Sequence, residues 1–262
     1  MGALALGPFA IPHSLLAALG GFLVFTLLVS SAKRRFPALD VWSSIVLLSG
    51  AITARAVHVM LNWQSFADDP LRILMFWQGG FDWRVGLVAA VLTSAYILKT
   101  WTQRSVGIAI VFATFFVWGI SDHFLSSTRE GVTIPDVVLS DSRKDVELKQ
   151  FAKGPLVVNV WATWCPPCRR ELPALLSAAE RNQDVRFLLV NQAESPETVR
   201  QFMQREGLTD QYVLYDANSS LSKALRLVGV PVTLFFMDGS LRELHAGEIT
   251  PEALAAKIKA LR

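Results

Sequence analysis

The sequence predicts an all-α membrane domain over residues 1–130, followed by an α/β domain with a central mixed sheet over residues 131–262. Long apolar runs fill the first half, whereas short apolar runs alternate with helical patterns in the second. The net charge of +3 comes from the first half, since the acidic and basic side chains of the second half balance. This distribution is typical of a membrane domain joined to a soluble one. It gives no sign of a nucleic-acid-binding surface, which needs a basic patch on a folded face.

Four apolar runs in the first half are the candidate membrane spans. They cover residues 11–32, 41–61, 83–100 and 106–125. A helix needs roughly 20 apolar residues to cross a bilayer core, within a range of about 17–25. No lysine or arginine precedes the first run, so it lacks the basic leading region of a signal peptide. We therefore expect four retained transmembrane helices.

Basic residues set the expected orientation of these helices. Lys33, Arg34 and Arg35 follow the first run, and Lys99 and Arg104 lie between the third and the fourth. Because lysine and arginine concentrate in cytoplasmic loops, these two connections are predicted to face the cytoplasm, and both chain ends lie outside it. The sequence thus predicts a multi-pass protein of the bacterial inner membrane. Its second domain lies in the periplasm, an oxidising compartment.

Two segments of the first half resemble a family of membrane enzymes. ARAVHVMLNW (residues 54–63) places Arg55 and His58 inside the second run, where ionisable side chains are costly and usually face the bundle interior. This segment and DPLRILMFWQGGFDWRVGL (residues 69–87) resemble the amino-terminal part of prolipoprotein diacylglyceryl transferase. The family's signature histidine is replaced here by Arg84, and the glycine after it by Val85. The resemblance therefore implies a remnant that serves as an anchor or docking surface rather than a working lipid transferase.

Strand and helix patterns alternate through residues 131–262. The predicted strands cover residues 156–161, 185–191, 212–215, 232–237 and 241–245. The predicted helices cover residues 166–182, 196–206, 219–228 and 251–261. Strands separated by helices are typical of crossover units on a central sheet. The Asp238-Gly239 pair predicts a hairpin turn between the last two strands.

Both cysteines of the chain lie in VVNVWATWCPPCRRELP (residues 157–173), after a strand and at the start of a helix. Unpaired backbone N–H groups and the helix dipole stabilise an anion there, which lowers a thiol pKa below its usual value near 8.5. Pro166 and Pro167 suit the first helical turn because they have no N–H to leave unpaired. Cys165 is therefore the predicted nucleophile, and Cys168 resolves the mixed disulfide that it forms. The strand–CxxC–helix order predicts a thioredoxin-like domain.

Two other uses of a CxxC pair compete with redox catalysis. A zinc site would need a second cysteine pair or nearby histidines, and the sequence supplies neither. A purely structural disulfide would close a loop of two intervening residues, which constrains the unfolded chain very little. We therefore predict no metal and no bound cofactor. The redox-active group is the Cys165–Cys168 disulfide itself.

The second half also resembles a known family. GPLVVNVWATWCPPCRRELP (residues 154–173) closely resembles the TlpA/ResA-like branch of thioredoxin-fold proteins, and TIPDVVLSD (residues 133–141) and VNQAESPETVRQFMQREGL (residues 190–208) extend the likeness. The resemblance implies an acidic residue near the thiols, which maps to Glu171 and would assist proton transfer at Cys168. An exposed helix glutamate is the alternative.

The same resemblance implies a substrate-binding surface around the cysteine pair. Pro231 matches the family's cis-proline loop, which faces the CxxC motif. A cis bond would leave the backbone of the preceding residue, Val230, free to pair with an extended substrate chain. Trp164 is expected to form an apolar contact surface beside Cys165, and Trp161 is expected to be buried.

The function predicted from these features is that of a membrane-anchored periplasmic thiol–disulfide oxidoreductase. It would reduce disulfides in exported proteins through its CPPC dithiol. The first half has no cysteine, so a separate membrane thiol reductase must recharge the dithiol, and membrane lipid is the other expected partner. Two alternatives stay open. One is a dithiol oxidase of the same fold, and the other is a non-catalytic adaptor that binds lipid or lipoprotein.

Overall fold

The computed structural model of the chain describes residues 3–6, 9–67, 69–127, 131–141 and 144–262. The chain divides into two compact units, one over Ser14–Leu125 and the other over Met1–His13 together with Ser126–Arg262. The first unit is helical, and the second contains a seven-stranded sheet.

The elements before residue 128 are a short hairpin and five α-helices. The hairpin pairs β1 (Ala3–Leu6) with β2 (Phe9–Pro12) in antiparallel fashion. The helices are α1 (His13–Ala32), α2 (Ala38–Leu61), α3 (Trp63–Ala67), α4 (Trp83–Ile97) and α5 (Trp101–Ser127). Two 3₁₀ turns, Pro70–Leu74 and Phe76–Gln78, lie between α3 and α4.

Three of these helices contain a segment that is long and apolar enough to cross a membrane. The segments are Leu15–Ala32, Ala38–Leu61 and Trp101–Ser121. Helix α4, in the third predicted run, has only 15 residues, since it ends at Ile97. The structure therefore supports three candidate spans by length and composition, with α4 as a shorter apolar helix.

Small residues bring α2 and α4 close together. A Cβ atom on Gly86 would lie 3.3 Å from the Cβ of Ala54 and 3.5 Å from the carbonyl oxygen of Gly50. Trp42 is fully buried, and its indole N–H donates to the Ser94 hydroxyl at 3.1 Å. A tryptophan near the end of an apolar run often lies at the headgroup level, whereas Trp42 lies inside the helix bundle. A partner for the indole N–H inside the bundle makes burial favourable instead.

The second unit is built on strands β3 to β9 and helices α6 to α9. The strands are β3 (Val138–Ser140), β4 (Asp145–Glu147), β5 (Pro155–Trp161), β6 (Arg186–Gln192), β7 (Val213–Asp216), β8 (Val232–Met237) and β9 (Ser240–Ala246). The helices are α6 (Pro166–Arg181), α7 (Pro196–Arg205), α8 (Ser220–Ala224) and α9 (Pro251–Leu261). Their strand order in the sheet is β4-β3-β7-β6-β5-β8-β9.

The sheet is mixed, as predicted. Strands β5, β6 and β7 pair in parallel, whereas β8 and β9 continue the sheet from β5 in antiparallel fashion. Strand β5 is central, and both of its faces are covered: Val157 belongs to one apolar cluster, and Val158 and Val160 belong to the other. Burial on both faces explains why β5 is a continuous apolar run rather than an alternating one.

Residues with positive φ mark the turn between β8 and β9 and the end of α8. Asp238 and Gly239 both have positive φ, 48° and 76°, which is the conformation expected of a two-residue hairpin turn. Helix α8 is shorter than its predicted range, residues 219–228: it begins at Ser220 and ends at Ala224. Arg226 has a φ of 49°, and a left-handed residue cannot continue a right-handed helix.

Candidate active site

The two cysteines lie at the start of α6, where they form a disulfide with a Cα–Cα distance of 5.3 Å. The chain leaves β5 at Trp161 and turns sharply, with the Cys165 N–H donating to the Ala162 carbonyl at 3.3 Å. Cys165 is the N-cap of α6, and its sulfur accepts from the Cys168 N–H at 3.3 Å. Cys165 retains 3% exposure, whereas Cys168 is fully buried. The first cysteine is therefore the one that borders the surface.

The residues between the cysteines start the helix. Pro166 and Pro167 occupy its first positions, where proline loses no hydrogen bond and has a preset φ. The Arg169 N–H then donates to the Cys165 carbonyl at 3.1 Å, which begins the regular helical pattern. The Cys168 N–H, which has no partner within the helix, donates to the Cys165 sulfur. With the helix dipole, it would stabilise that sulfur as a thiolate in the reduced protein.

Glu171 is buried one turn after Cys168, at 2% exposure. Its two carboxyl oxygens are both occupied: one accepts from the Asn159 side chain at 2.8 Å, and the other accepts from the Ile249 N–H at 2.7 Å. Burial raises the Glu171 pKa to about 8, and these two hydrogen bonds lower it only in part. The side chain is therefore no exposed helix glutamate. It is a carboxyl group that can hold or release a proton near neutral pH.

Asn159 ties this carboxyl to the centre of the sheet. It is fully buried on β5, and its amide donates to Glu171 and also to the Thr233 hydroxyl, at 3.0 Å. Thr233 lies opposite Asn159 on β8. The Glu171 carboxyl is thus fixed by groups from β5 and from the segment before α9, and a fixed carboxyl can carry out proton transfer at one defined place.

The residues predicted to bind the substrate are Trp164, Val230 and Pro231. The Val230–Pro231 peptide bond is cis, and the Pro231 carbonyl accepts from the Gly247 N–H at 2.9 Å. Val230 packs against the apolar cluster that contains Cys165 and Cys168. Trp164 is 68% exposed, an unusual degree for so large an apolar side chain.

Trp161 and the two arginines of α6 have other surroundings. Trp161 is fully buried, with its ring centroid 5.8 Å from that of Phe202. Arg169 and Arg170 are half-exposed and form ion pairs with Glu206 at 3.0 Å and with Glu248 at 2.6 Å. The exposed Arg169–Glu206 pair contributes little stability, as expected on a solvated helix face. Arg170 instead forms a bidentate pair with a Glu248 carboxylate that is only 14% exposed.

Sequence reasoning missed one residue of the site, Glu194. Its carboxylate accepts from the Thr163 N–H at 2.7 Å, from the Thr163 hydroxyl at 2.5 Å and from the Asn191 side chain at 2.7 Å. Thr163 is two positions before Cys165. The only sequence signal was a carboxylate directly after a buried strand, a place where functional side chains concentrate.

Among the residues that the structure describes, no group of three histidine, cysteine or carboxylate side chains is arranged to bind a metal ion. The reactive groups of the site are the Cys165–Cys168 disulfide, or its reduced dithiol, and a buried carboxyl group. Such a pair can exchange electrons and protons with a substrate disulfide without a bound cofactor.

Two family models match the chain, one in each half. Residues 129–256 match the family described as Redoxin, and residues 2–121 match the family described as Prolipoprotein diacylglyceryl transferase. Both resemblances seen in the sequence are confirmed. Arg84 and Val85 nevertheless stand where the signature of the transferase family has histidine and glycine.

Curated relatives match the second half. The thiol-disulfide oxidoreductase ResA of Geobacillus kaustophilus is 30% identical over 136 residues, which are 50% of this chain and 78% of that protein. The thiol:disulfide interchange protein DsbE of Vibrio cholerae is 33% identical over 129 residues, 48% of this chain and 69% of that protein. The solved structure of MTB DsbF is 21% identical and covers 50% of this chain and 100% of that chain, with a TM-score of 0.46.

The ResA and DsbE relatives share about a third of their residues with this chain over more than two thirds of their own lengths. The matched region contains the disulfide, the buried carboxyl group and the strands that hold them. The chain therefore belongs to the ResA/DsbE family of thiol-disulfide oxidoreductases.

Proposed function

We propose that the chain is a membrane-anchored, periplasmic enzyme that reduces disulfides in exported proteins through the dithiol of Cys165 and Cys168. The observation that carries this proposal is the placement of the pair. The disulfide caps α6, with one sulfur at the surface side and the other buried one turn before the Glu171 carboxyl.

In the proposed reaction Cys165 acts first. Its thiolate attacks one sulfur of the substrate disulfide, the substrate S–S bond breaks, and the departing substrate sulfur takes up a proton. Cys168 then loses its proton and attacks the Cys165 sulfur. This step breaks the mixed disulfide and releases the second substrate thiol. Two electrons pass to the substrate, and the enzyme is left with the Cys165–Cys168 disulfide.

Glu171 is the proposed proton acceptor for Cys168. Because Cys168 is fully buried, its thiol has no direct access to bulk water for deprotonation. A carboxyl with a pKa of about 8 is matched to a thiol, since proton transfer is most efficient between groups of similar pKa near the working pH. Positions 168 and 171 are also three apart on one helix, so their side chains share a face.

Trp164, Val230 and Pro231 are the proposed substrate contacts. The exposed Trp164 ring supplies an apolar surface directly before the nucleophile. Val230 packs against the apolar cluster that includes Cys165, and its backbone is the proposed partner of an extended segment of the substrate. The substrate class is therefore a protein with a disulfide in an accessible, extended segment.

The helical unit is the proposed anchor. Its candidate spans α1, α2 and α5, with α4 as a fourth and shorter span, would place the two basic connections in the cytoplasm and the α/β unit in the periplasm. Both cysteines lie in the α/β unit, so recharging of the dithiol requires a separate membrane thiol reductase. Lipid covers the apolar helix surfaces.

The experiment that tests this function is insulin reduction by the full chain, purified in detergent and supplied with a dithiol reductant. We expect the wild-type chain to accelerate the precipitation of insulin B chain and Cys165→Ser to be inactive. Equal rates for the two proteins would refute the proposed reductase activity and favour the adaptor alternative.

The direction of electron flow is tested separately, by trapping the thiols of the protein in intact cells. A reductase is expected to have its dithiol mostly reduced at steady state. A mostly oxidised pair would instead support the dithiol oxidase.

A further inference from the structure

We propose that Glu194 is a positioning residue that holds the turn carrying Trp164 and Cys165 in the conformation that a protein substrate requires. This inference rests on the proposed function of the cysteine pair. Glu194 lies outside the CPPC helix and the proline loop. The proposal is that it fixes the conformation of the turn that precedes the cysteine pair.

Three hydrogen bonds converge on the Glu194 carboxylate, and two of them come from Thr163 in the turn before Cys165. One Glu194 oxygen accepts from the Thr163 hydroxyl, and the other accepts from the Thr163 N–H and from the Asn191 side chain. Hydrogen bonds to an ionised acceptor are shorter and about twice as strong as neutral ones. Both hydrogen-bond donors of Thr163 are therefore fixed by the same group.

The second observation is the way in which the chain fixes Glu194. Ala193 adopts a left-handed conformation with a φ of 61°, and its N–H donates to the Asp216 carbonyl at 3.0 Å. Ser195 caps α7, with its hydroxyl accepting from the Thr198 N–H at 3.2 Å. A non-glycine residue with positive φ is costly and tends to persist where function requires it. Here it directs the Glu194 side chain toward Thr163.

The third observation concerns what the turn presents. Thr163 and Trp164 are the two central residues of the turn from Ala162 to Cys165, which closes through a single 3.3 Å hydrogen bond. Trp164 is 68% exposed, so its neighbours cover only a minor part of its surface. The Glu194–Thr163 contacts are therefore a principal restraint on where the Trp164 ring lies.

Loss of this restraint should affect large and small substrates differently. If the turn adopts the competent conformation for only a fraction of the time, the apparent affinity for a substrate that needs that conformation falls by the same fraction. A protein disulfide must contact Trp164 as well as Cys165. A small disulfide needs only the sulfur of Cys165, whose helix cap does not involve Glu194.

The test compares Glu194→Ala with wild type on two substrates, insulin and the small aromatic disulfide 5,5′-dithiobis(2-nitrobenzoate), using the reduced full chain in detergent. We expect kcat/KM for insulin to fall about tenfold, the factor that corresponds to roughly 1.4 kcal/mol, mainly through KM. The rate with the small disulfide should change less than about twofold, since the Cys165 cap is intact.

Two further variants make this test specific. Thr163→Val removes only the hydroxyl donor and leaves Glu194 in place, so it should give a smaller loss on insulin in the same direction. Glu197→Gln is the matched control, because Glu197 lies on α7, where it pairs with Arg200 and accepts from the Gln201 side chain. It should behave like wild type.

The possible results separate the two proposals. An equal loss on both substrates, or no loss on insulin, in Glu194→Ala would overturn the positioning role. A wild-type chain that is inactive on insulin would instead refute the reductase function itself.

Discussion

The Glu171 carboxyl accepts a hydrogen bond from the backbone N–H of Ile249 at 2.7 Å, across 78 positions of sequence. The contact joins α6, which begins at the cysteine pair, to the segment that leads into α9. Together with the Asn159 amide at 2.8 Å, it keeps a buried acid within one helical turn of Cys168. The reactive disulfide and the buried acid are thus held by the same framework.

This burial predicts that stability falls as the pH rises. The folded-state pKa of Glu171, about 8, lies above the ordinary glutamate value of 4.5, so between these values the folded protein binds more protons than the unfolded chain does. Stability is therefore greatest below pH 4.5 with respect to this group and is lost as the pH rises toward 8. At about 1.4 kcal/mol per pKa unit, the loss reaches several kcal/mol.

Glu171→Gln removes the titrating group, so the variant should lose less stability than wild type between pH 5 and pH 8. The measurement is the urea midpoint of the oxidised full chain at each pH. Unfolding is monitored through the protease resistance of its α/β unit. Glu180→Gln is the control, since Glu180 is an exposed glutamate of the same helix. A wild-type midpoint that stays level over this range would contradict the assigned burial effect.

The same substitution should slow the resolving step. Without a proton acceptor near the buried Cys168 thiol, attack on the mixed disulfide loses general-base assistance, and we expect a fall of roughly 10²-fold in its rate. Rapid-quench measurement of mixed disulfide with a cysteine-containing peptide checks this value. If Glu171→Gln resolves the intermediate at the wild-type rate across pH 6–9, Glu171 has no part in proton transfer.

Replacement of the resolving thiol should trap substrates. Cys168→Ser leaves the Cys165 nucleophile in place and removes the group that completes the exchange, so mixed disulfides should accumulate with exported proteins. Non-reducing gels of the full chain purified from cells would show them as adducts that a reductant releases. Cys165→Ser, which keeps only the buried thiol, is the matched variant, and adducts of equal amount in it would contradict the assignment of Cys165 as nucleophile.

Arg55 should be essential to the helical unit for structural reasons. Its guanidinium donates to the carbonyl oxygens of Ile73, Gly79, Gly80 and Arg72, at 3.2, 2.6, 3.1 and 2.6 Å. Lysine keeps the charge but has no planar fork of donors, so Arg55→Lys should loosen the segment between α3 and α4. Each lost hydrogen bond with a charged donor costs about 1.5–3 kcal/mol.

The check on Arg55 is the melting temperature of the full chain in detergent, with limited proteolysis of residues 69–80. Arg34→Lys, at an exposed position beyond α1, is the matched control. Unchanged melting and cleavage in Arg55→Lys would show that these four contacts contribute nothing to the fold.

Local patterns were enough to predict the order of strands and helices around the cysteine pair. Strand β8 and helix α9 have the predicted bounds, Val232–Met237 and Pro251–Leu261, because each combines an apolar pattern with a clear turn or proline at its start. The burial of Trp161 and the exposure of Trp164 also agree with expectation.

Features that depend on distant partners could not be predicted in this way. Trp42 is buried because Ser94, 52 positions away, accepts from its indole N–H. The role of Glu194 depends on Thr163, 31 positions away, and on a left-handed alanine that no propensity favours. In both cases the deciding contact arises only when the chain has folded.

The central claim is that the cap of α6 stabilises Cys165 as a thiolate, and the most direct measurement is the pH dependence of its alkylation by iodoacetamide. The experiment uses the reduced full chain carrying Cys168→Ser, so that a single thiol reacts. We expect the rate to reach half of its maximum at a pH well below the ordinary thiol value of about 8.5. A midpoint at that ordinary value would contradict it.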